Sequence, residues 1–313
     1  MTLKNELYTW LLKSEIPSIR YKTLVDLLEY PPHQPCVENA RRAVAHTGPV
    51  PAILAGQAPN GAWAKENSYY SPKYVSTHWS MLLLTELGID PEDAHFQRGV
   101  DFMLNATRSE LEARMNASNL GFSCFWGNLL RYALYAGRYD DAQGQKLIQY
   151  AARDLHRGPC QCAHNDNHAC AWGVARMLWG LALIPTAHRT RQIGHAIDAG
   201  VKFLLHSFQL LDANYPTPDD GKIHSLWFRL NFPLFYQADI LFVLRVLADL
   251  HRLDHPGAQP ALNWLQTRQQ SNGRWRGSSP YRARTWRAIG DAAEIDRWVS
   301  LQSATILRRA GRF

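Results

Sequence analysis

Apolar runs at helical spacing, repeated along the chain, constrain this sequence most. Between positions 74 and 87 the apolar residues recur at helical intervals and the run stops at Gly88, the pattern of a helix with a glycine stop. Similar runs cover 122–135, 140–155, 168–183, 191–208, 234–250 and 298–309. Alternating patterns of the kind that make half-buried strands are scarce. Pro185, Pro216 and Pro218 fall between the runs, where proline punctuates loops. The expected class is all-α.

The runs echo one another. Cys124-Phe-Trp126-Gly127 returns 46 residues on as Cys170-Ala-Trp172-Gly173, and Trp79 stands 47 residues before Trp126. Each sits in or opens an apolar helix, and a more polar helix follows. Hairpins of an inner and an outer helix bury their apolar faces by stacking on neighbours, as an open solenoid or a closed ring. A second repeat is Gln-x3-Gly-x-Trp, at Gln57-Ala-Pro-Asn-Gly61-Ala-Trp63 and again at Gln269-Gln-Ser-Asn-Gly273-Arg-Trp275. Glycine allows the turn, glutamine can bond helix-end backbone groups, and tryptophan can pack on the next repeat.

Composition allows a large core. Of 313 residues, 46% are hydrophobic and 19% charged, a balance that argues against disorder. The net charge of +7 lies wholly in the last fifty residues, which hold ten arginines and three acids. That excludes a uniformly basic nucleic-acid coat protein and leaves a local basic surface. No nucleic-acid-binding module is recognisable, so no nucleic-acid partner is expected. The start, Met1-Thr2-Leu3-Lys4-Asn5-Glu6, lacks a signal-peptide pattern. The best apolar stretch, 238–250, is interrupted by Asp239 and Arg245, so no transmembrane segment is expected. A soluble, cytoplasmic protein is the expectation. The oligomeric state leaves no mark in the sequence.

Cysteines are concentrated. Cys36 stands alone, whereas Cys124, Cys160, Cys162 and Cys170 fall within 47 residues, interleaved with His164, Asp166 and His168. In a cytoplasmic chain such a cluster points to metal binding or thiol catalysis before disulfides. Thiolate and imidazole are zinc ligands, and a helix N-terminus stabilises thiolate.

The Gln/Gly/Trp motif with paired inner and outer helices resembles the repeats of squalene-hopene cyclases and protein prenyltransferase β subunits. The chain looks most like the single-domain bacterial proteins of that repeat superfamily. The resemblance implies an α/α toroid of about five to six helical hairpins. It would be one domain over 1–313, with the helices of 1–50 packing on a repeat ring of 51–313. It also implies an aromatic central cavity for an isoprenoid or other small hydrophobic substrate. In prenyltransferases an inner helix opening with Asp-x-Cys and a later one opening with His-Thr-Cys hold zinc. Here Phe122-Ser-Cys124 and His168-Ala-Cys170 stand in like positions. Cys124 and His168 match two ligands, Phe122 replaces the aspartate, and Cys162, Cys160 or Cys170 could complete the set. Lanthionine cyclases, a related toroid family, use two cysteines and a histidine, a set close to Cys124, Cys170 and His168. The expected metal residues are Cys124, Cys162, His168 and Cys170, with zinc as the cofactor. Small core residues or solvated loop positions are the competing reading for each.

No Asp-x-Asp-Asp acid of class II terpene cyclases is present. Asp140-Asp141 and Asp219-Asp220 lie in polar, turn-like stretches. There is no paired-carboxylate arrangement, phosphate loop, dinucleotide turn or Gly-x-Ser-x-Gly elbow. Asp239 opens a strongly apolar helix, so it either caps that helix or faces the cavity. His224, Tyr236 and Asp239 are the candidates for polar contact or proton transfer. Tyr74, His78, Trp79, Trp126, Trp172 and Trp227 are the candidate pocket lining, with interhelix packing as the alternative. Metal-dependent catalysis is the first functional reading. A non-catalytic lipid- or protein-binding toroid and a zinc-dependent thiol-handling enzyme are the others. Arg274, Arg276, Arg282, Arg284 and Arg287 are expected in a loop on the rim, where they could attract a diphosphate or an acidic partner.

Overall fold

The computed structural model describes residues 2–116, 121–157, 160–218 and 221–313. Asp219-Asp220 lie outside the described residues. The described chain is helical, with no strand and two isolated bridges, Gln57 with Trp63 and Asn231 with Ser278.

Burial sorts the helices after residue 76 into two kinds. Helices α5 (Thr77–Leu87), α7 (Ser123–Tyr135), α9 (Ala171–Leu181), α11 (Ile240–Asp249) and α13 (Ala292–Arg309) are buried over most of their length. Every residue of α5 is buried, and every residue of α9 except Trp172. A helix with no polar face must be surrounded by protein. Helices α6 (Ala94–Asn116), α8 (Ala142–Arg157), α10 (Arg191–Lys202) and α12 (Gln259–Thr267) alternate with them. These keep one apolar stripe, such as Phe96, Val100, Met103 and Leu111 on α6, and turn the opposite face to water. Each buried helix packs on the next buried one: α5 on α7, α7 on α9, α9 on α11, α11 on α13. Among the more exposed helices, α6 packs on α8 and α8 on α10.

The tightest of these contacts joins α7 and α9. A Cβ on Gly127 would lie 2.5 Å from the Arg176 carbonyl carbon. Only glycine lets the two backbones approach so closely.

Both Gln-x3-Gly-x-Trp motifs build the same turn. Gln57 Nε2 donates to the Gly61 carbonyl at 3.2 Å, and Gln269 Nε2 to that of Gly273 at 3.0 Å. The glycines take φ of 92° and 78°, values that favour glycine. The Trp63 indole donates to the Ile53 carbonyl at 2.7 Å in α4 (Pro49–Leu54), and Trp275 to Leu265 in α12 at 2.8 Å. The Trp63 and Trp275 amides bond the Thr77 and Ser300 hydroxyls of the next buried helix, at 3.0 and 2.9 Å. Tryptophan, more than glutamine, therefore satisfies the helix-end carbonyl.

The chain ends are stitched together. Helix α1 (Leu3–Leu12) leads to α2 (Pro17–Lys22), which a π-helical turn extends over Thr23–Leu27. This unit packs on α13, while α3 (Pro35–His46) packs on α2 and α4. Ser14 donates to Glu294, Arg297 donates to the Trp10 carbonyl at 3.2 Å, and Arg308 donates to the Leu27 carbonyl. The C-terminal segment also reaches back to α5: Thr285 Oγ1 donates to the Tyr74 carbonyl at 2.8 Å, and the Trp286 indole to Ser80 Oγ at 3.0 Å. Much of the C-terminal arginine charge serves this stitching. Arg274 stacks over Trp10 at 4.2 Å, Arg284 over Tyr74 at 4.8 Å, and Arg308 and Arg309 pair with Glu29 and Asp249. Among the described residues, no helix is long and apolar enough to cross a membrane.

Candidate functional site

Helices α7 and α9 begin at one cavity, and the segments leading into α5 and α11 complete it. Tyr70 and Lys73 before α5, Cys124 in the first turn of α7, Cys170 at the N-cap of α9 and Tyr236 before α11 all line a space of about 430 Å³. Helix N-termini carry partial positive charge, so this end of the molecule favours anionic groups. Tyr70, Phe122, Trp172, Tyr215 and Tyr236 form aromatic walls, with Lys73, His164, Lys222 and His224 among the polar lining. The volume suits a drug-sized molecule.

Three sulfurs share this cavity: Cys124, Cys162 and Cys170. Their meeting depends on the loop before α9. The Asn165 and Asn167 amides both donate to the Cys162 carbonyl at 2.9 Å, and the Cys162 amide donates to the His168 carbonyl at 3.1 Å. Asp166 and Asn167 take φ of 47° and 61°, values asparagine and aspartate tolerate better than most residues. The closed loop returns Cys162 to Cys170, and the two side chains hydrogen-bond. Cys170 Sγ also accepts the Gly173 amide at 3.4 Å, capping α9.

The three thiols differ in chemistry. The Cys170 hydrogen bond, the His164 and Asn165 backbone amides and the His164 ring outweigh burial and lower Cys162 to about 6. Cys170, which donates that bond, is raised, and burial adds to the effect. Burial and the neighbouring Cys162 charge push Cys124 up to about 12. Of the three, Cys162 is the one whose surroundings favour the thiolate. Cys160 is fully buried beneath them. Burial, then the adjacent Asp154, raises its thiol, and it hydrogen-bonds Ser123 and Asp154. Ser123 Oγ donates to Asp154 at 2.6 Å, while burial raises Asp154 to about 6.

A transition metal needs three or four ligands converging on one point. Among the described residues, no three His, Cys, Asp or Glu side chains stand together as such a group. Cys124, Cys162 and Cys170 line the cavity, but His168 is exposed and is absent from its wall. His164 occupies the lining instead, edge-on to Phe122 with ring centroids 5.2 Å apart. The donor set as placed does not fit a zinc centre.

The other candidate residues divide between lining and core. His224, Tyr236 and Trp172 line the cavity. His224 Nδ1 accepts the Leu226 amide at 3.1 Å, leaving Nε2 as the protonated nitrogen of the neutral ring. Lys73 Nζ lies 5.2 Å from the Tyr236 ring centroid. Asp239 is fully buried and outside the cavity wall. It caps α11 by accepting the Phe242 amide at 2.7 Å, and it holds Asn231 through that residue's amide and side chain at 2.9 and 2.7 Å. Burial still raises it to about 6. Tyr74 packs on Phe235 and Tyr281. The indoles of Trp79 and Trp227 donate to the Tyr70 and Leu210 carbonyls, both at 2.8 Å, and Trp126 packs on Tyr150. His78 is buried against Phe125 and bonds the Tyr132 hydroxyl at 3.1 Å; burial, then the Arg176 charge, lowers it to about 3.

These side chains also fill the middle of the molecule. Asn128 Nδ2 donates to the Phe235 carbonyl at 2.8 Å, and buried Arg176 donates to the Gln237 carbonyl while stacking 3.9 Å from the Phe242 centroid. The segment 235–239 is thereby clamped between buried helices, and the aromatic cavity sits above it. At the opposite end, Arg245 pairs with Glu86 at 2.7 Å, and Arg131 donates to the Trp179 carbonyl at 2.9 Å. Cations there oppose the negative ends of helices.

His164, Tyr215 and Lys222 were not readable as lining from local sequence. The clue was the proline-bounded segment around Pro216 and Pro218, which returns Tyr215 over the cysteine loop. Comparison with protein-family models, curated proteins and solved structures found no match.

Proposed function

We propose that the chain is a thiol-dependent enzyme on an α/α toroid, with Cys162 as the nucleophile in a pocket for an isoprenoid or another compact hydrophobic substrate. One observation carries this reading: a thiolate-forming cysteine lies on the wall of an aromatic cavity at which α7 and α9 begin. A depressed thiol pKa in a cleft is how reactive cysteines are made. His224 and Tyr236, on the same wall, are the groups available for proton transfer and orientation.

The toroid is supported by the alternation of buried and half-exposed helices. It is further supported by the two equivalent Gln/Gly/Trp turns and by the contacts of Thr285 and Trp286 with the start of the first repeat. Zinc has less support, because Cys162 and Cys170 satisfy each other and His168 faces solvent.

The test is brief iodoacetamide treatment of the reduced protein near pH 6, with the modified cysteine located by peptide mass spectrometry. Cys162 should be modified before Cys124 and Cys170, and farnesol, an apolar isoprenoid alcohol, should protect it. An unreactive Cys162 would overturn the catalytic reading in favour of a binding toroid. Stoichiometric zinc in the purified protein, with Cys162 shielded until the metal is chelated, would restore the metal reading.

A further inference from the structure

The arginines of the last fifty residues divide in two. Arg274, Arg297, Arg308, Arg309 and Arg312 stack on Trp10, pair with acids or bond side-chain amides. The Arg276 and Arg282 side chains are exposed and, among the described residues, make no hydrogen bond, ion pair or ring contact. Exposed Arg229 is in the same condition. The acids of the C-terminal segment are already committed. Asp291 Oδ1 accepts the Glu294 amide at 3.0 Å, Asp296 Oδ1 accepts the Gly277 amide at 2.6 Å, and Glu294 pairs with Arg297.

The chain path gathers these cations at the cavity mouth. Asn231 bridges Ser278 in parallel, with the Ser278 amide donating to the Leu230 carbonyl at 2.7 Å and the Phe232 amide to the Ser278 carbonyl at 2.9 Å. The segments that carry Arg229 and Arg276 therefore enter this bridge from the same side. Beyond it, Tyr281 packs on Tyr74 with ring centroids 4.4 Å apart, and exposed Arg284 lies 4.8 Å from the Tyr74 ring. Lys73, beside Tyr74, is on the cavity wall and 5.2 Å from the Tyr236 ring. That wall is exposed at Lys73 and His224, so the cavity opens here. Phe228 follows in the same segment as His224, is 39% exposed, and stands next to Arg229. Lys222 adjoins Asp219-Asp220, which lie outside the described residues, so the patch is defined without it.

We propose that this basic rim docks the protein peripherally on an anionic lipid surface, with the aromatic cavity opening toward the lipid. Guanidinium groups pair with lipid phosphates, and Phe228 enters the boundary between headgroups and acyl chains. A nucleic acid or an acidic peptide would also meet the charge. The lipid surface in addition accounts for the exposed ring beside the charge, and it supplies an apolar ligand at the face where the cavity opens. The choice of lipid rests on the apolar ligand of the proposed function; Cys162 plays no part in docking, so the two readings fail separately.

The full chain is sedimented with phosphatidylcholine vesicles containing about one-third phosphatidylglycerol, and with pure phosphatidylcholine vesicles, at about 0.1 M salt. The expected result is binding to the anionic vesicles only, lost near about 1 M salt, where charges are screened within about 3 Å. Each arginine near the surface is worth about fivefold, so Arg229→Gln, Arg276→Gln and Arg282→Gln together should weaken binding roughly 100-fold. Arg98→Gln, Arg191→Gln and Arg252→Gln remove the same charge beyond the C-terminal ends of α5, α9 and α11, away from the cavity, and should weaken binding far less. Phe228→Ser should weaken binding without changing its salt dependence. Thermal melts check that the variants stay folded. No vesicle binding, equal binding to neutral vesicles, or equal weakening by the two triple variants would overturn the proposal. So would tighter binding to single-stranded RNA or polyglutamate than to the anionic vesicles at the same salt. Docking by a protein whose Cys162 resists iodoacetamide would overturn the catalytic reading and leave the lipid surface in place.

Discussion

Alkylation of Cys162 should switch on with a midpoint near pH 6, and the size of the effect follows from the hydrogen bonds around its sulfur. The Cys170 thiol and the loop amides take it from 9.0 to about 6. At pH ~7 a thiol at about 6 is about nine-tenths thiolate, against about one-hundredth for an ordinary one, an advantage of roughly 90-fold in reactive form. A thiolate of lower pKa is also a weaker nucleophile: a Brønsted slope of about 0.4–0.5 costs roughly 16–32-fold here. The net gain at pH ~7 is therefore only about 3–6-fold. At pH ~5.5 the advantage in reactive form rises to roughly 760-fold and the net gain to about 25–50-fold. The acid side thus separates the environment's effect from ordinary reactivity. The assay is the rate of iodoacetamide incorporation at the Cys162 peptide across pH, with a small free thiol run in parallel. Cys170→Ala removes the first of the stabilising contacts and should move the midpoint up. A midpoint near 9 in the unmodified protein, or one that ignores Cys170→Ala, would refute the reasoning.

Three further outcomes follow from packing and burial. Gly127→Ala should destabilise the fold by about 1–3 kcal/mol, read from a denaturant midpoint, because its Cβ would meet the Arg176 backbone at 2.5 Å; an unchanged midpoint would contradict the close α7–α9 approach. Asp239→Ala removes the α11 cap and leaves Asn231 without its buried acceptor, and should cost about 1–3 kcal/mol while leaving Cys162 alkylation unchanged. His78 is buried and lowered from 6.5 to about 3, so its contribution is present in full above pH 6.5 and is lost as pH falls toward 3. Relative to His78→Phe, the protein should lose up to about 1.4 kcal/mol for each pH unit below that point. The comparison between the two proteins matters, since Asp154 and Asp239, both raised to about 6, shift stability the opposite way on acidification. A pH-independent difference would mean that His78 is not a neutral core residue.

Apolar runs marked the buried helices and also the half-exposed α8 and α10, but passed over α6 and misplaced the start of α11. The run 298–309 marks the apolar heart of α13, which starts earlier, at Ala292, where Asp291 accepts the Glu294 amide as N-cap. Helix α6 spreads Phe96, Val100, Met103 and Leu111 among water-facing polar residues, so its signal is diluted. The run 234–250 misleads in the other direction. Its first six residues are as apolar as a helix but form an irregular segment, and α11 begins only at Ile240. When every face of a segment is buried, hydropathy has no period left to read. The physical marker of the true start is Asp239, whose carboxylate accepts the Phe242 amide; a short acid before an apolar run is a cap before it is a catalyst.

The same distinction governs the site. Clustering of Cys124, Cys162 and Cys170 was legible because they recur at the start of repeated helices or in the loop leading into one. The choice between His164 and His168 was not, because the turn through two left-handed residues, Asp166 and Asn167, decides which of two exposed histidines borders the cavity. Most of the tryptophans read as pocket lining instead spend their indole N–H or ring on the core: Trp79 and Trp227 bond carbonyls, and Trp126 packs on Tyr150. Trp172 lines the cavity instead, although Trp79 and Trp126 also stand near the starts of their helices, α5 and α7. Position along a helix therefore does not by itself separate lining from core. The dipoles of α7 and α9 favour negative charge at the cavity, and under the proposed function Cys162, the least buried of its three sulfurs, is the one that meets a substrate.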